Sequence, residues 1–144
     1  NGGPVSGFLL DTNVLSELVK PRPDGNVVQW VKNTEEARMF LSVLTLGEIR
    51  KGIASLPMGS RRARLESWLD EELRARFQSR VLPIDEAVAD RWGTIAATAA
   101  AAGRPLPVID GLLAATALDH NLTLVTRNAF DVAGTGVRVL NPWR

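Results

Sequence analysis

Acidic side chains that directly follow apolar runs are the residues here best suited to chemistry. Asp11 follows Phe8-Leu9-Leu10 and precedes Thr12-Asn13. Glu48 lies one helical turn beyond Met39-Phe40-Leu41-Ser42-Val43, and Asp85 follows Val81-Leu82-Pro83-Ile84. Asp110, in Pro107-Val108-Ile109-Asp110-Gly111, heads the segment feeding Leu122-Thr123-Leu124-Val125-Thr126, which Arg127-Asn128 follows. Carboxylates gathered at one edge of a sheet repel each other and raise each other's pKa values. A divalent cation removes that penalty, and oxygen-only donors point to Mg2+ or Mn2+. The chain has no Cys and one His, His120. That excludes disulfides, thiolate nucleophiles, Cys-containing zinc or iron–sulfur centres and multi-histidine metal sites.

Each acid also has a purely structural role available to it. Thr45-x-x-Glu48 is formally a capping box, in which the Glu reaches back to the Thr45 amide. Asp110 at a helix start could serve as a cap favoured by the macrodipole. Asp85 is the strongest capping candidate and is assigned no chemistry. Asp11 is the hardest to explain structurally, because a lone carboxylate after an apolar strand needs no pair of polar neighbours for capping. The four acids together carry more than any one of them.

The elements that must position these residues follow from periodicity. Phe8–Leu10 reads as a strand, with Val14, Leu15 and Leu18 at helical spacing after it. Asn26–Lys32 reads as a helix capped by Asn26. Met39–Val43 is a second strand, and Thr45 is expected to open a helix carrying Leu46, Ile49 and Ile53. Arg61–Phe77 is amphipathic, with the stripe Leu65, Trp68, Leu69, Leu73 and Phe77. Val81–Ile84 is a third strand, placed at a sheet edge by Pro83. Asp85 caps an Ala-rich helix ending at Gly103, and Leu112–His120 is helical. Leu122–Thr126 and Val137–Leu140 are the last strands. Strands interleaved with helices predict a parallel, three-layer α/β/α sandwich.

At 144 residues, a single domain is expected over 1–144. The 45% hydrophobic and 23% charged balance is that of a globular chain. A net charge of +1 gives no global reason for a polyanionic partner, although the cations divide into 14 Arg and 3 Lys. Arg favours phosphate and bidentate carboxylate contacts, and a GC-rich genome gives the same bias. No run reaches about 18 apolar residues and no leader pattern opens the chain, so a soluble, cytoplasmic protein without membrane contact is expected. Asn1-Gly2-Gly3-Pro4 reads as a cloning remnant and is set aside.

Four of these segments resemble, in order, the motifs of PIN-domain nucleases, specifically the VapC-type toxins of toxin–antitoxin pairs. They are Leu9-Leu10-Asp11-Thr12-Asn13-Val14-Leu15-Ser16-Glu17-Leu18, Ser42-Val43-Leu44-Thr45-Leu46-Gly47-Glu48-Ile49-Arg50-Lys51-Gly52-Ile53, Asp110-Gly111-Leu112-Leu113-Ala114-Ala115-Thr116-Ala117 and Leu124-Val125-Thr126-Arg127-Asn128. The closing Leu140-Asn141-Pro142-Trp143 is similar to the FitB-like branch. The resemblance spans residues 8–143.

It implies a five-stranded parallel sheet ordered 3-2-1-4-5 and a Mg2+- or Mn2+-dependent endoribonuclease, regulated by a cognate VapB-type antitoxin and commonly homodimeric. Carried over by motif, Asp11 and Asp110 are the principal metal ligands. Glu48 completes the metal site or positions the attacking water. Asn13 and Thr126 orient the carboxylates. The fourth position of the catalytic set is Asn128, where many relatives carry an acid. Asp131, three residues on, is the candidate substitute, acting through water, and the departure bears on whether one ion or two are held.

RNA also needs cations around the pocket. Arg61, Arg62, Arg64, Arg104 and Arg127 are candidates, with Arg127 favoured by its motif and Arg62 equally accounted for by an i,i+4 pair with Glu66. Trp30, Trp68 and Trp143 are expected as core or interface anchors rather than stacking platforms. A favourable charge near a helix C-terminus accounts for His120.

Other classes fit less well. A phosphoacceptor receiver domain needs a Lys after its last strand, whereas Lys20, Lys32 and Lys51 all lie in the first part of the chain. Nucleotide-binding folds need G-x-G-x-x-G or G-x-x-x-x-G-K-[ST], and neither occurs. A degenerate relative that binds RNA or a partner without cutting is the remaining alternative.

Overall fold

The computed structural model describes residues 7–144; the segment read as a cloning remnant lies outside the described residues. The chain runs β1 (Phe8–Leu10), α1 (Thr12–Leu18), α2 (Gly25–Asn33), β2 (Met39–Ser42), α3 (Val43–Ala54) and α4 (Ser60–Ser67). A π-helical stretch, Trp68–Leu73, joins α4 to the short α5 (Arg74–Arg76). Then come β3 (Val81–Leu82), α6 (Glu86–Ala101), α7 (Val108–Asp119), β4 (Thr123–Val125), a 3-10 turn at Ala129–Val132, and β5 (Val139–Leu140).

All strand pairs are parallel and the order is β3-β2-β1-β4-β5, as the family resemblance implied. β3 is an edge strand as expected, but it ends at Leu82, before Pro83, which has no amide to continue the ladder. β1 is central and pairs with β2 and β4 over Phe8–Leu10. Burial on both faces explains why these strands are short apolar runs rather than alternating ones. The chain turns in opposite directions from β1 toward β2 and toward β4, so the crevice beyond β1 and β4 is where an α/β sheet binds its ligand.

Helices cover both faces. One core packs Leu10, Val14, Leu15, Met39, Leu41, Ile49, Leu69, Leu73 and Phe77 together, with Trp30, Trp68 and Trp143 against it. The other packs Leu9, Leu113, Ala114, Ala117, Leu122, Leu124 and Val132. Trp30 meets Phe8 edge to face, with ring centroids 5.1 Å apart, as expected of an anchoring residue. The Arg61–Phe77 stripe forms as read, except that its middle winds as a π-helix.

Two helix starts differ from the sequence expectation. α2 is capped by Asp24, whose carboxylate accepts from the amides of Asn26 and Val27, while the Asn26 side chain donates to the Trp143 carbonyl. The fixed acceptor of Asp24 outcompetes Asn26, whose amide is drawn to the C-terminal segment. α3 starts at Val43, not Thr45: β2 runs into it without a loop, and Ser42 caps it by accepting from the Leu44 amide. Asp85 does cap α6, accepting from the Val88 amide, and Gly103 turns the chain after α6 at φ +77°.

Candidate active site

The site begins at the end of β1. The Asp11 amide extends the sheet ladder to the Val125 carbonyl at 2.9 Å, which places its side chain at the crevice. The carboxylate is buried, with Oδ1 accepting from the Thr12 amide at 2.7 Å and Oδ2 from the Thr126 hydroxyl at 2.7 Å. Thr126, just past β4, is the hub. Its one proton goes to Asp11, and its oxygen accepts from the Asn128 amide at 3.0 Å and the Asn13 side-chain amide at 3.3 Å. A hydroxyl has one donor and two acceptor sites, so Thr126 is saturated and its orientation set.

Glu48 joins from α3. Its Oε1 accepts from the Thr12 hydroxyl at 2.5 Å. The capping-box role is therefore overturned, because Thr45 lies inside the first turn of α3 and its buried hydroxyl has no partner. Asp110 sits in the first turn of α7, whose cap position is Pro107, with no side-chain capping bond, so its simple capping role is overturned too. Gly111 lets α7 approach α6 closely: a Cβ there would come within 3.0 Å of the Trp92 ring.

The acids sense one another. Burial is the main cause holding Asp110 above the ordinary carboxylate range, followed by the charges of Asp11, Asp131 and Glu48. Burial also holds Asp11 up, against the Thr126 and Thr12 hydrogen bonds that lower it, and Asp131 adds to the rise. Asp131 lies in the 3-10 turn that follows Asn128, and its charge bears on both Asp11 and Asp110. Asn128 contributes its amide to Thr126, and its side chain caps nothing.

These groups suit a hard divalent cation. Among the described residues no three Asp, Glu or His groups lie close enough together to hold a metal ion as they stand. The buried Asn13 Oδ1 has no partner, and the Asp110 carboxylate takes no hydrogen bond to offset its neighbours. Such oxygen donors with unfilled acceptor capacity are the chemistry of a Mg2+ or Mn2+ site.

A raised carboxylate pKa opposes folding. The penalty is absent below the ordinary carboxylate pKa, grows as pH rises from there to the raised folded-state pKa of Asp110, and is fully present above it, including at pH 7. Asp110→Asn is therefore expected to raise the melting temperature at pH 7 in EDTA by about 2–4 °C, the effect of ~1 kcal/mol at this size. Partial exposure of Asp110 keeps the gain small. Mg2+ should stabilise the wild type more than the variant. Calorimetry at two pH values checks both statements, and a variant that melts lower at pH 7 contradicts them.

Not every expected cation reaches the pocket. Arg62 pairs with Glu66 at 3.4 Å and also bonds the Leu56 carbonyl. The Arg127 guanidinium lies 5.1 Å from the Trp143 ring centroid, and its charge acts on Glu17. By contrast, Arg61 and Arg64 line a groove of ≈ 490 Å3 with Leu65 and Trp68, which opens onto Thr12 and Glu48. Arg104 stacks on Phe130, 5.2 Å from its ring centroid. His120 lies at the C-terminus of α7, with Nε2 4.0 Å from the Asp119 carboxylate.

Glu17 was not singled out from sequence. It is buried, accepts from the Asp24 amide and Lys20 at 2.9 Å each, and is held below the ordinary carboxylate range chiefly by Lys20. It ties the α1–α2 connection down. The spacing Glu17-x-x-Lys20 was its only sequence signal.

Known proteins share this fold and much of its sequence. The family model described as PIN domain matches residues 8–129. The chain is 38% identical over 136 residues to "Toxin FitB" of Neisseria gonorrhoeae, covering 94% of this chain and 98% of that protein. It is 35% identical to "VapC ribonuclease Y4jK" of Sinorhizobium fredii, covering 94% and 97%. The structure titled "Crystal Structure of FitAcB from Neisseria gonorrhoeae" superposes with a TM-score of 0.91 at 37% identity, covering 95% of this chain and 99% of that one.

Proposed function

Since the chain belongs to the PIN-domain family, as one of its VapC-type toxins, we propose that it is a divalent-metal-dependent endoribonuclease held in check by a cognate VapB-type antitoxin. The observation that carries this reading is Asp11, a buried carboxylate at the end of the central strand. Thr126 and Thr12 orient it, and its charge, with those of Asp131 and Glu48, holds Asp110 above the ordinary carboxylate range.

Asp11 and Asp110 would hold Mg2+ or Mn2+, with Glu48 completing the set. When bound, the cation lowers the pKa of a water molecule and neutralises charge on the scissile phosphodiester. The remaining work belongs to the protein. The Thr126 hydroxyl donates to one Asp11 oxygen and the Thr12 amide to the other, so the carboxylate is held in one orientation. The Thr12 hydroxyl holds Glu48 where it can take a proton from attacking water. In-line attack of that water leaves a 5′-phosphate and a 3′-hydroxyl. Asp131 adds negative charge through water where Asn128 supplies none.

An inhibitory partner must cover the acids. The groove between α1, α3 and α4 opens directly on Glu48, with apolar walls and the cations Arg61 and Arg64 at its rim, and is the seat we assign to the antitoxin. For a homodimer, α6 offers exposed surface: of its 16 residues only Val88 is fully buried. Among the described residues no helix is long and apolar enough to cross a membrane, in keeping with cytoplasmic RNA as substrate.

Inducing the full chain in a bacterial host and sequencing RNA 5′ ends tests the proposal. Recurrent cut sites are expected with the wild type and not with Asp11→Asn, and co-expressed antitoxin should suppress them. Identical RNA ends with and without induction overturn it.

A further inference from the structure

One apolar side chain is placed against the usual rule. Phe130 is 79% exposed, although burying a ring of that size favours folding strongly. It sits in the Ala129–Val132 3-10 turn, directly after Asn128, whose amide donates to the Thr126 hydroxyl that in turn holds Asp11. Successive residues of such a turn point about 120° apart, so Phe130 projects from the rim of the acidic crevice rather than into it. The Arg104 guanidinium lies 5.2 Å from the ring centroid. It comes from the loop entering α7, the helix that carries Asp110. Among the described residues Arg104 has no carboxylate partner; it meets the Phe130 ring and donates its backbone amide to the Ala99 carbonyl. Both loops that bound the crevice therefore contribute to one exposed aromatic–cation pair.

We propose that Phe130 and Arg104 form a clamp for an unpaired nucleotide next to the scissile phosphate, with the base stacked on the ring and its phosphate held by the guanidinium. The proposal rests on the ribonuclease reading and specifies its substrate: a strand unpaired at the cut site. Aromatic faces accept any base by stacking, and Arg supplies the phosphate contact that a lone aromatic lacks. The acids beside the clamp repel phosphate, so a cation at the rim is needed to bring the strand in. A duplex cannot use the clamp, because its bases are already stacked and would first have to be extruded. Phe130 and Arg104 are positioning residues; neither touches the reacting atoms.

The test uses the full chain in the Asp110→Asn background and in EDTA, so that nothing is cut and acidic repulsion is reduced. The probe is an unpaired RNA of about 12 nucleotides carrying 2-aminopurine, whose fluorescence falls on aromatic stacking. Quenching is expected with Phe130 and with Phe130→Trp. Phe130→Ala and Phe130→Leu should lose the quench and bind about ten-fold more weakly. Arg104→Ala should weaken binding and reduce its salt dependence. In otherwise wild-type protein with Mg2+, Phe130→Ala should raise KM about ten-fold with kcat little changed. Equal affinity and quenching in Phe130→Ala overturn the proposal. So does a Phe130→Ala variant that loses only antitoxin affinity, which would assign the patch to the protein partner. A wild type that neither binds nor cuts RNA instead overturns the ribonuclease reading itself.

Discussion

Replacing Asp11 with Asn is expected to lower RNA cleavage by about 10²–10³-fold, the usual cost of removing one preorganised electrostatic group from an active site. The substitution is conservative in every other respect. Asn caps a helix as well as Asp does, so the bond from the Thr12 amide at 2.7 Å survives. The Thr126 oxygen already accepts from the Asn128 and Asn13 amides, so the new amide bonds it only by displacing the longer, 3.3 Å bond from Asn13, which keeps the stability cost small. What disappears is the charge, in a buried position where charge is costly and is retained only for a partner. The melting temperature should change little while the rate collapses. Single-turnover cleavage measured beside calorimetry separates the two, and a cleavage rate within a factor of about three of wild type would exclude Asp11 from the catalytic set.

Thr126→Val is the second large effect, and it acts on both stability and rate. Valine matches threonine in shape but has no hydroxyl. It leaves Asp11 Oδ2, the Asn128 amide and the Asn13 amide without the partner they share. Buried groups left unsatisfied cost about 1–3 kcal/mol each when they cannot relax to water. Asn128 is exposed and can find solvent, so the net loss is about 2 kcal/mol, dominated by the Asp11 oxygen. Freed from Thr126, the carboxylate loses its fixed orientation, and cleavage should fall about 10–100-fold. Thr126→Ser restores the hydroxyl and should recover most of both. Denaturant unfolding and cleavage rates on the three proteins check this, and a fully active Thr126→Val would show that the hub does not position Asp11.

Much of the site was legible because its members are local to strand ends. Asp11 and Thr126 directly follow short apolar strands, which a parallel sheet brings to one edge whatever the loops between them do, and Asp110 reaches that edge from the first turn of α7, the helix leading into β4. The roles that could not be read were those decided by distant neighbours. Glu48 and Thr45 have capping-box spacing, yet whether Glu48 turns back to its own helix depends on where that helix starts. Ser42 starts it early because β2 and α3 share no loop, and the Thr12 hydroxyl, 36 residues away, then takes the carboxylate. Asn26 was the cap expected from sequence, whereas Asp24 caps α2 and the Asn26 side chain contacts Trp143 across 117 residues. Arg127 follows β4 as its motif requires, but Trp143 draws its guanidinium aside. Phe130 was invisible as a surface residue, since an apolar side chain between strands is counted toward the core unless its neighbours are known.

The central claim is that the strand-end carboxylates form a metal-dependent RNA-hydrolysing centre. It is tested most directly by incubating the full chain with end-labelled RNA in Mg2+, Mn2+ or EDTA and reading the chemistry of the new termini. Cleavage with either metal, none in EDTA, and fragments ending in 5′-phosphate and 3′-hydroxyl are the predicted result. Cleavage that persists in EDTA and leaves 2′,3′-cyclic phosphates would contradict it, because the nucleophile would then be the RNA's own 2′-hydroxyl rather than water held at Asp11 and Asp110.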